Sequence, residues 1–223
     1  MRVVGIDLAG SPKRRTGYCR LIDGRIETLV LYTDSDILAA ICEDQPEIVA
    51  IDAPLSLPFG RCCLLDECGC KGKAHLRTCD KTLLSLKIPF FPITLGPMRL
   101  LTTRGMKLAG SLTERGVRAI EVYPGAAQDF WGIPRKQKDV EGLRSGLEGV
   151  ASCWISRGLS HDELDAISCA LVGKDVLLGK AFAIGIPQEG LMFLPGVKIG
   201  SNWHRGSIDE PMKERGGLYD SCD

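Results

Sequence analysis

The chain has 223 residues, of which 44% are hydrophobic and 25% are charged, an ordinary composition for a globular protein with a sizeable core. Its 28 basic and 28 acidic residues cancel, which excludes nucleic-acid binding driven by overall charge and leaves only local basic patches for that role. No apolar run approaches the ~18 residues needed to cross a bilayer, and no secretory signal is evident. We therefore expect a cytoplasmic protein with no membrane contact.

The first half of the chain predicts a β-meander, a helix and a fourth, buried strand. Asp23-Gly24 lies between two β-rich runs, which is a strong hairpin signal. Asp34 or Ser35 is expected to cap the helix, and the apolar run before Asp52 is typical of a strand in a parallel sheet. In chain order, these elements are strands over 2–8, 17–22 and 25–33, a helix to about residue 44, and a strand over 47–52.

The second half predicts alternating helices and strands after a long insertion over residues 53–97. Ser160, with Glu163 three residues later, is a capping box that predicts a helix to about residue 172. We expect one domain over 1–197 and a loosely ordered tail over 198–223. The predicted elements are helices near 80–87, 98–115 and 126–131, an amphipathic stretch over 135–148, the capped helix, and strands over 118–123, 182–186 and 191–194.

Acidic residues stand at the ends of predicted strands and at the start of a predicted helix. Asp7, Asp52 and Glu121 lie in or end apolar strands, where an unpaired acid is costly. Asp162 and Asp165 are three residues apart, hence on one helix face. Because parallel strands end at one edge of a sheet, we expect these acids to meet there. A structural role is the alternative for any one acid, above all for Asp162 in the first helical turn.

Carboxylates that converge in one cleft repel one another unless a cation lies between them. Oxygen ligands suit Mg²⁺ or Mn²⁺, and two such ions can activate a water and stabilise the leaving oxygen of a phosphodiester. We therefore expect these metals at the acids, with Asp162 as a further catalytic candidate. The predicted metal ligands are Asp7, Asp52, Glu121 and Asp165.

Four sequence blocks, in this order, together resemble the DUF429 family of predicted nucleases. The likeness runs from Val3 to about Pro195 and implies an α/β, ribonuclease H-like fold. In that fold a mixed sheet combines a β-meander with parallel strands and is flanked by helices, here with a Cys-rich insertion. The blocks are Gly5-Ile6-Asp7-Leu8-Ala9, Ile51-Asp52-Ala53-Pro54-Leu55, Glu121-Val122-Tyr123-Pro124 and His161-Asp162-Glu163-Leu164-Asp165-Ala166.

The last of these blocks is also similar to the terminal acidic helix of RuvC-type junction resolvases. By that likeness Asp7, an internal strand acid and Asp165 would hold the metal ions. Both resemblances imply a nuclease with nucleic acid as its partner.

Five of the ten cysteines lie between Cys62 and Cys79, within the Cys-rich part of the insertion over 61–80. Such clustering favours a metal site or reduced thiols over a framework of disulfides. The soft ligands could hold zinc or, with less support from their spacing, an iron–sulfur cluster. Reduced or disulfide-linked thiols are the alternative. The candidate zinc ligands are Cys63, Cys68, Cys70, His75 and Cys79.

Three candidate substrate contacts are basic. Arg77 belongs to an Arg-x-Cys-Asp element that resembles a recurrent element of the DUF429 family, and it could either clamp a phosphate or pair with Asp80. Lys13 and Arg14 follow the first strand, so they would border the edge of the sheet where the acids are expected.

Three classes of function fit these observations. The first is a metal-dependent nuclease that hydrolyses phosphodiester bonds with two metal ions. The second is an actin-like or sugar-kinase-like phosphotransferase, because Gly5-Ile6-Asp7 followed by Gly10-Ser11 weakly resembles the first phosphate loop of that class. The third is a non-enzymatic nucleic-acid-binding protein that uses the Cys-rich module. The nuclease accounts for most of the acids and is the function that we predict.

Overall fold

In the computed structural model, which describes residues 1–196, a mixed β-sheet carries helices on both faces. The strands are β1 (Arg2–Asp7), β2 (Thr16–Ile22), β3 (Arg25–Leu31), β4 (Ile48–Asp52), β5 (Ala119–Val122), β6 (Phe182–Gly185) and β7 (Leu191–Leu194). The helices are α1 (Asp34–Asp44), α2 (Thr78–Ser85), α3 (Gly96–Glu114), α4 (Pro124–Trp131), α5 (Val140–Ala151) and α6 (His161–Leu177), and a short 3₁₀ helix spans Pro187–Glu189.

The strand order across the sheet is β3-β2-β1-β4-β5-β7-β6. Strands β1 to β3 form an antiparallel meander, β4, β5 and β7 run parallel to β1, and β6 pairs antiparallel with β7 at the edge. The predicted fold class, a meander followed by parallel strands with flanking helices, is confirmed. The cap of α1 differs from the prediction, because Thr33 accepts from the amide of Asp36 and forms a capping box with it.

Side chains of the central strands alternate between the two faces of the sheet and build a core on each face, and a third core surrounds α2. On one face Val3 and Ala50 pack against α4, α5 and α6. On the other face Ile6 and Ile51 pack against α1 and α3. Each position along β1, β4 and β5 is therefore assigned to one face by its parity alone.

Helix α6 lies unusually close to β1 and β2 because glycine faces it in both strands. A Cβ atom at Gly5 would lie 2.1 Å from the carbonyl oxygen of Ala166, and one at Gly17 would lie 2.0 Å from that of Asp162. Only residues without a side chain allow this approach. The N-terminal half of α6 is thereby pressed against the strand that ends at Asp7.

The insertion between β4 and α3 contains one helix, α2, and is otherwise irregular. Both ends of its first loop are tied to Glu189, whose carboxylate accepts from the amides of Phe59 and Thr78 at 2.8 and 2.6 Å. Glu189 is buried, so these bonds are shielded from water. Among the described residues, no helix is long and apolar enough to span a membrane. The tail predicted over 198–223 lies outside these residues, and the domain boundary stays a prediction.

Candidate active site

Three carboxylates meet at the C-terminal ends of β1 and β4. Asp7 and Asp52 are register partners in these neighbouring parallel strands and share the face that α6 covers. Asp165 stands on α6, where Gln128 of α4 donates to its Oδ1 at 2.8 Å and to the Ser168 hydroxyl at 3.1 Å. The structure therefore brings together three of the five predicted acids, at the edge where open α/β sheets bind ligands.

The ammonium group of Lys136 lies between two of these acids. Its Nζ is 2.6 Å from Oδ2 of Asp165 and 3.6 Å from Oδ2 of Asp7, so the two oxygens lie within about 6 Å of each other. That separation suits carboxylates that share a pair of ions ~3.5–4 Å apart. Lys136 belongs to the loop between α4 and α5 and is half-buried. It supplies the positive charge that the acids require.

Burial and the charges of neighbouring acids make Asp7 and Asp52 hard to ionise. Burial, followed by the charge of Asp165, raises the pKa of Asp7 from 3.8 to about 7. Burial, followed by the charges of Asp7 and Asp165, raises the pKa of Asp52 well above its ordinary value. The pKa of Lys136, which burial alone would lower, is raised by Asp165 and Asp7. When all three acids are ionised, they carry more negative charge than one ammonium group balances.

These shifts predict that stability falls as pH rises, in buffer free of divalent cations. Between pH ~4 and ~7 the folded state holds protons on Asp7 that the unfolded state has released, so the stabilisation present at low pH is lost as pH passes through about 7. We expect the free energy of unfolding to fall by about 2–4 kcal/mol over this window. Urea denaturation at pH 5 to 8 measures it. Asp7→Asn should flatten the profile, and identical profiles for the two proteins would contradict the assignment.

Glu121 does not share the sheet face of Asp7 and Asp52, although it lines the same cavity as Asp52 and Asp165. Glu121 is the register partner of Ile51, while Ile120 and Val122 on either side of it face the α6 side. Its side chain therefore leaves the sheet on the face opposite to Asp7 and Asp52. There it accepts from the amide of Leu55 at 2.8 Å. The strand-end pattern placed Glu121 correctly at the end of a strand. At this position in β5, however, the side chain points to the face of the sheet opposite to Asp7 and Asp52.

The partner of Glu121 is Arg77, at the N-terminus of α2. The Arg77 guanidinium donates to both oxygens of Glu121 at 2.7 Å, to Asp80 through Nε and Nη2, and to the Ser56 hydroxyl through Nη1. All five of its N–H groups are thus engaged, and its side chain is 1% exposed. In this arrangement Arg77 has no donor left for a phosphate, so the structure favours the ion-pair alternative over the predicted phosphate clamp.

Asp162, Lys13 and Arg14 lie at the periphery of the site. Asp162 is one-third exposed and pairs with Arg15 at 3.7 Å, in the first turn of α6. Lys13 and Arg14 are exposed in the loop between β1 and β2, a few residues beyond Asp7. Asp162 has the position of an acid near a helix N-terminus, and its charge adds to the burial and the Asp165 charge that raise the pKa of Asp7, so its catalytic role stays a prediction.

A cavity of about 300 Å³ opens beside Asp52 and Asp165, and Glu121, Arg77 and Asp80 also contribute to its lining. Asp52, Asp165 and Lys136 line one side, and the insertion contributes apolar residues such as Phe91, which is 70% exposed. At its rim the Tyr123 hydroxyl donates to the carbonyl of Pro89 at 2.6 Å, which ties the insertion to the end of β5. The cavity therefore has one acidic side and one apolar side.

The Cys-rich part of the insertion gathers four thiols whose sulfur atoms all lie within 4.8 Å of one another. His75 is exposed and Cys79 is buried in the core around α2, and neither belongs to this group. None of the nine cysteines in the described part of the chain is in a disulfide. The group consists of Cys62, Cys63, Cys68 and Cys70.

Sequence reasoning had left three residues out of the site. Lys136 lies in a loop, where no periodicity predicts the direction of a side chain. Its place in a short basic run was the one sequence signal that it could be functional. Gln128 is a buried polar residue in the otherwise apolar turn of α4, which is a weak signal for a partner in the core. Cys62 was omitted because its neighbour Cys63 gave the more usual spacing to Cys68.

No family model matches the chain, and no curated protein matches it. Among solved structures, the T. thermophilus RuvC structure in complex with a Holliday junction substrate superposes with a TM-score of 0.50 and 14% identity, over 80% of this chain and 97% of that one. A second Thermus thermophilus RuvC structure gives a TM-score of 0.45 and 16% identity, over the same shares of the two chains.

An identity of 14% supports a statement about the fold alone. The superposition covers most of both chains. With the architecture described above, it shows that the chain has the mixed-sheet, ribonuclease H-like fold.

Proposed function

We propose that this protein is a metal-dependent nuclease that hydrolyses phosphodiester bonds of nucleic acid. The observation that carries the proposal is the convergence of Asp7, Asp52 and Asp165 in one partly buried cleft. Three carboxylates with a single ammonium among them fit Mg²⁺ or Mn²⁺ in donor type, in charge and in spacing. The DUF429 resemblance found in the sequence points to the same class of enzyme.

In this proposal the three acids would bind the metal ions from two sides of the site. Asp7, on the central strand, and Asp52 beside it hold the ions from the sheet, and Asp165 closes the site from α6. Gln128 fixes the orientation of the Asp165 carboxylate through its 2.8 Å bond. When bound, two ions would supply an activated water and neutralise the leaving oxygen, so no protein nucleophile is required. Water adds across the P–O bond, leaving a phosphate on one product and a hydroxyl on the other.

The residues around the acids suit a polyanionic substrate that is contacted only near the site of cleavage. Lys136 can contact a phosphate once metal ions satisfy the acids, and Lys13 and Arg14 are proposed to contact the backbone from the β1–β2 loop. The apolar side of the cavity offers Phe91 for contact with an unstacked base. Zero net charge disfavours tight non-specific binding to bulk duplex, so we propose a structured substrate.

Cleavage of defined substrates tests the proposal directly. Single-stranded, duplex, hybrid and branched nucleic acids are incubated with the protein in buffer freed of divalent cations, then with added Mg²⁺ or Mn²⁺. Branched DNA is included because the RuvC structure with a comparable fold is a complex with a Holliday junction. We expect cleavage of at least one substrate, dependent on metal. ATP hydrolysis without cleavage would favour the phosphotransferase, and metal-independent binding without cleavage would favour the adaptor.

Lys136 and a divalent cation should compete for the same carboxylates. We expect Lys136→Met to bind Mn²⁺ about ten-fold more tightly, because ~1.4 kcal/mol of competing charge interaction is removed. Titration calorimetry at pH 7.5 measures the dissociation constant. Lys138→Met, an exposed lysine two residues further along, is the matched control and should bind as the wild type does. Equal or weaker Mn²⁺ binding by Lys136→Met would show that the ammonium does not occupy the position of the ion.

A further inference from the structure

We propose that Cys62, Cys63, Cys68 and Cys70 hold one structural zinc ion that fixes the loop over residues 59–77. This site is separate from the three acids, and the proposal does not rest on the nuclease assignment. It assigns four ligands from the geometry, and it replaces the mixed cysteine and histidine set that spacing alone suggested.

The sulfur positions match one tetrahedral ion. Sγ of Cys62 lies 3.4 Å from that of Cys68, and Sγ of Cys63 lies 3.8 Å from that of Cys70. Four thiolates at ~2.3 Å from a tetrahedral zinc ion are ~3.8 Å apart. An iron–sulfur cluster spreads its thiolates over several iron atoms, which requires wider separations than the 4.8 Å limit observed here.

The loop lacks the apolar core that would otherwise hold it. Between residues 59 and 76 only Leu64 and Cys70 are buried. The loop contains no helix or strand, and its shape depends on a few turns and on Arg61, which donates to the carbonyls of Ala74 and Lys71 at 2.8 and 2.5 Å. Segments of this kind are usually ordered by a disulfide or a metal. The four sulfur atoms, all within 4.8 Å of one another, are placed to supply such a cross-link through one metal ion.

The position of the loop shows what the ion would do. Glu189 holds the two ends of the loop together by accepting from the amides of Phe59 and Thr78. The four thiols would hold the middle of the loop together through the ion. Arg77, which ends the loop, enters the buried pair with Glu121. The zinc ion would thus order the segment that delivers Arg77 to β5.

The charges of the loop argue for this structural role over a second nucleic-acid site. The segment has four basic residues, Arg61, Lys71, Lys73 and Arg77, and two acidic ones, Asp66 and Glu67. Arg77 is buried in its pair with Glu121, and Asp66 pairs with Lys71 at 3.2 Å and with Arg99 at 2.7 Å. These pairs leave little free positive charge on this part of the described chain for a phosphate backbone to follow.

Metal analysis of the full-length protein, purified without added metal from zinc-supplemented culture, tests the site. We expect stoichiometric zinc, lost to background in Cys63→Ser and Cys70→Ser. Cys153→Ser, a partly buried cysteine outside the group, is the matched control and should keep its zinc, as should Asp7→Asn. Iron in place of zinc, or zinc that survives loss of both Cys63 and Cys70, would overturn the proposal.

Measurements on the wild-type protein keep the test valid even where a variant does not fold. A strong chelator should release zinc, expose four additional reactive thiols and make the loop over 59–77 sensitive to protease. Replacement by Co²⁺ should give thiolate-to-cobalt charge-transfer bands with the absorption of a tetrahedral site. Four thiols that react at once in the untreated protein, with zinc near background, would contradict the assignment.

Discussion

Asp7→Asn is expected to lower Mn²⁺-dependent cleavage by about 10³-fold while leaving the fold intact. Asp7 is the acid that links the other two, since it is the register partner of Asp52 and shares Lys136 with Asp165. An amide in its place keeps the shape but removes the charge on which the ions depend. Because burial already raises the pKa of Asp7 to about 7, the neutral side chain should not destabilise the protein.

Single-turnover cleavage of the best substrate, with the protein in excess, measures this effect. Asp175→Asn is the matched control, because Asp175 lies on the same helix as Asp165 but about 15 Å further along its axis. The control should cleave at the wild-type rate. Wild-type activity in Asp7→Asn, or cleavage that persists in every single substitution of the three acids, would show that the activity arises elsewhere.

Arg77→Met is expected to lower the free energy of unfolding by about 3–5 kcal/mol. The substitution leaves the Glu121 carboxylate buried without its bidentate partner and Asp80 without the guanidinium that it accepts from. Glu121 is 4% exposed, so water cannot replace the lost charge. Glu121→Gln should also be destabilising, because it leaves the buried Arg77 guanidinium without the charge of Glu121. Urea denaturation at pH 7 gives the difference for each variant.

The double variant Arg77→Met/Glu121→Met separates a structural pair from a substrate contact. Removing both charges should cost less than the sum of the two single substitutions, because neither partner is left buried and unpaired. Arg99→Met is the control, since Arg99 forms a comparable but one-third exposed pair with Asp66 and should cost about 1 kcal/mol or less. A stable Arg77→Met protein whose affinity for substrate falls many-fold would instead revive the phosphate clamp.

Local patterns in the sequence predict most of the secondary structure and the positions of the acids along it. The Asp23-Gly24 turn, the Ser160–Glu163 capping box and the apolar run before Asp52 each depend on neighbours in the chain, and each appears in the structure where the pattern places it. The pairing of Asp7 with Asp52 could also be predicted, because parallel strands that end together bring their last residues side by side.

The composition of the site was harder to predict because it depends on which side chains meet across the fold. Lys136 and Gln128 reach Asp165 from a loop and from a neighbouring helix, and neither segment has a period that fixes its direction. The proposed zinc ligand set differs from the predicted one for the same reason. Spacing favoured His75 and Cys79, but the path of an irregular loop brings Cys62 to Cys68 instead.

By itself, the sequence determined the order of the elements, the fold class and three acids at the ends of the elements, because strand periodicity, turn chemistry and helix caps act over a few residues. Only the tertiary structure decided which groups share a site. Glu121 shows the physical reason, since it lies one residue out of phase with Asp52 and so leaves the sheet on the other face, where Arg77 neutralises it. Charges that are far apart along the chain acquire partners only when the sheet and its insertion have folded around them.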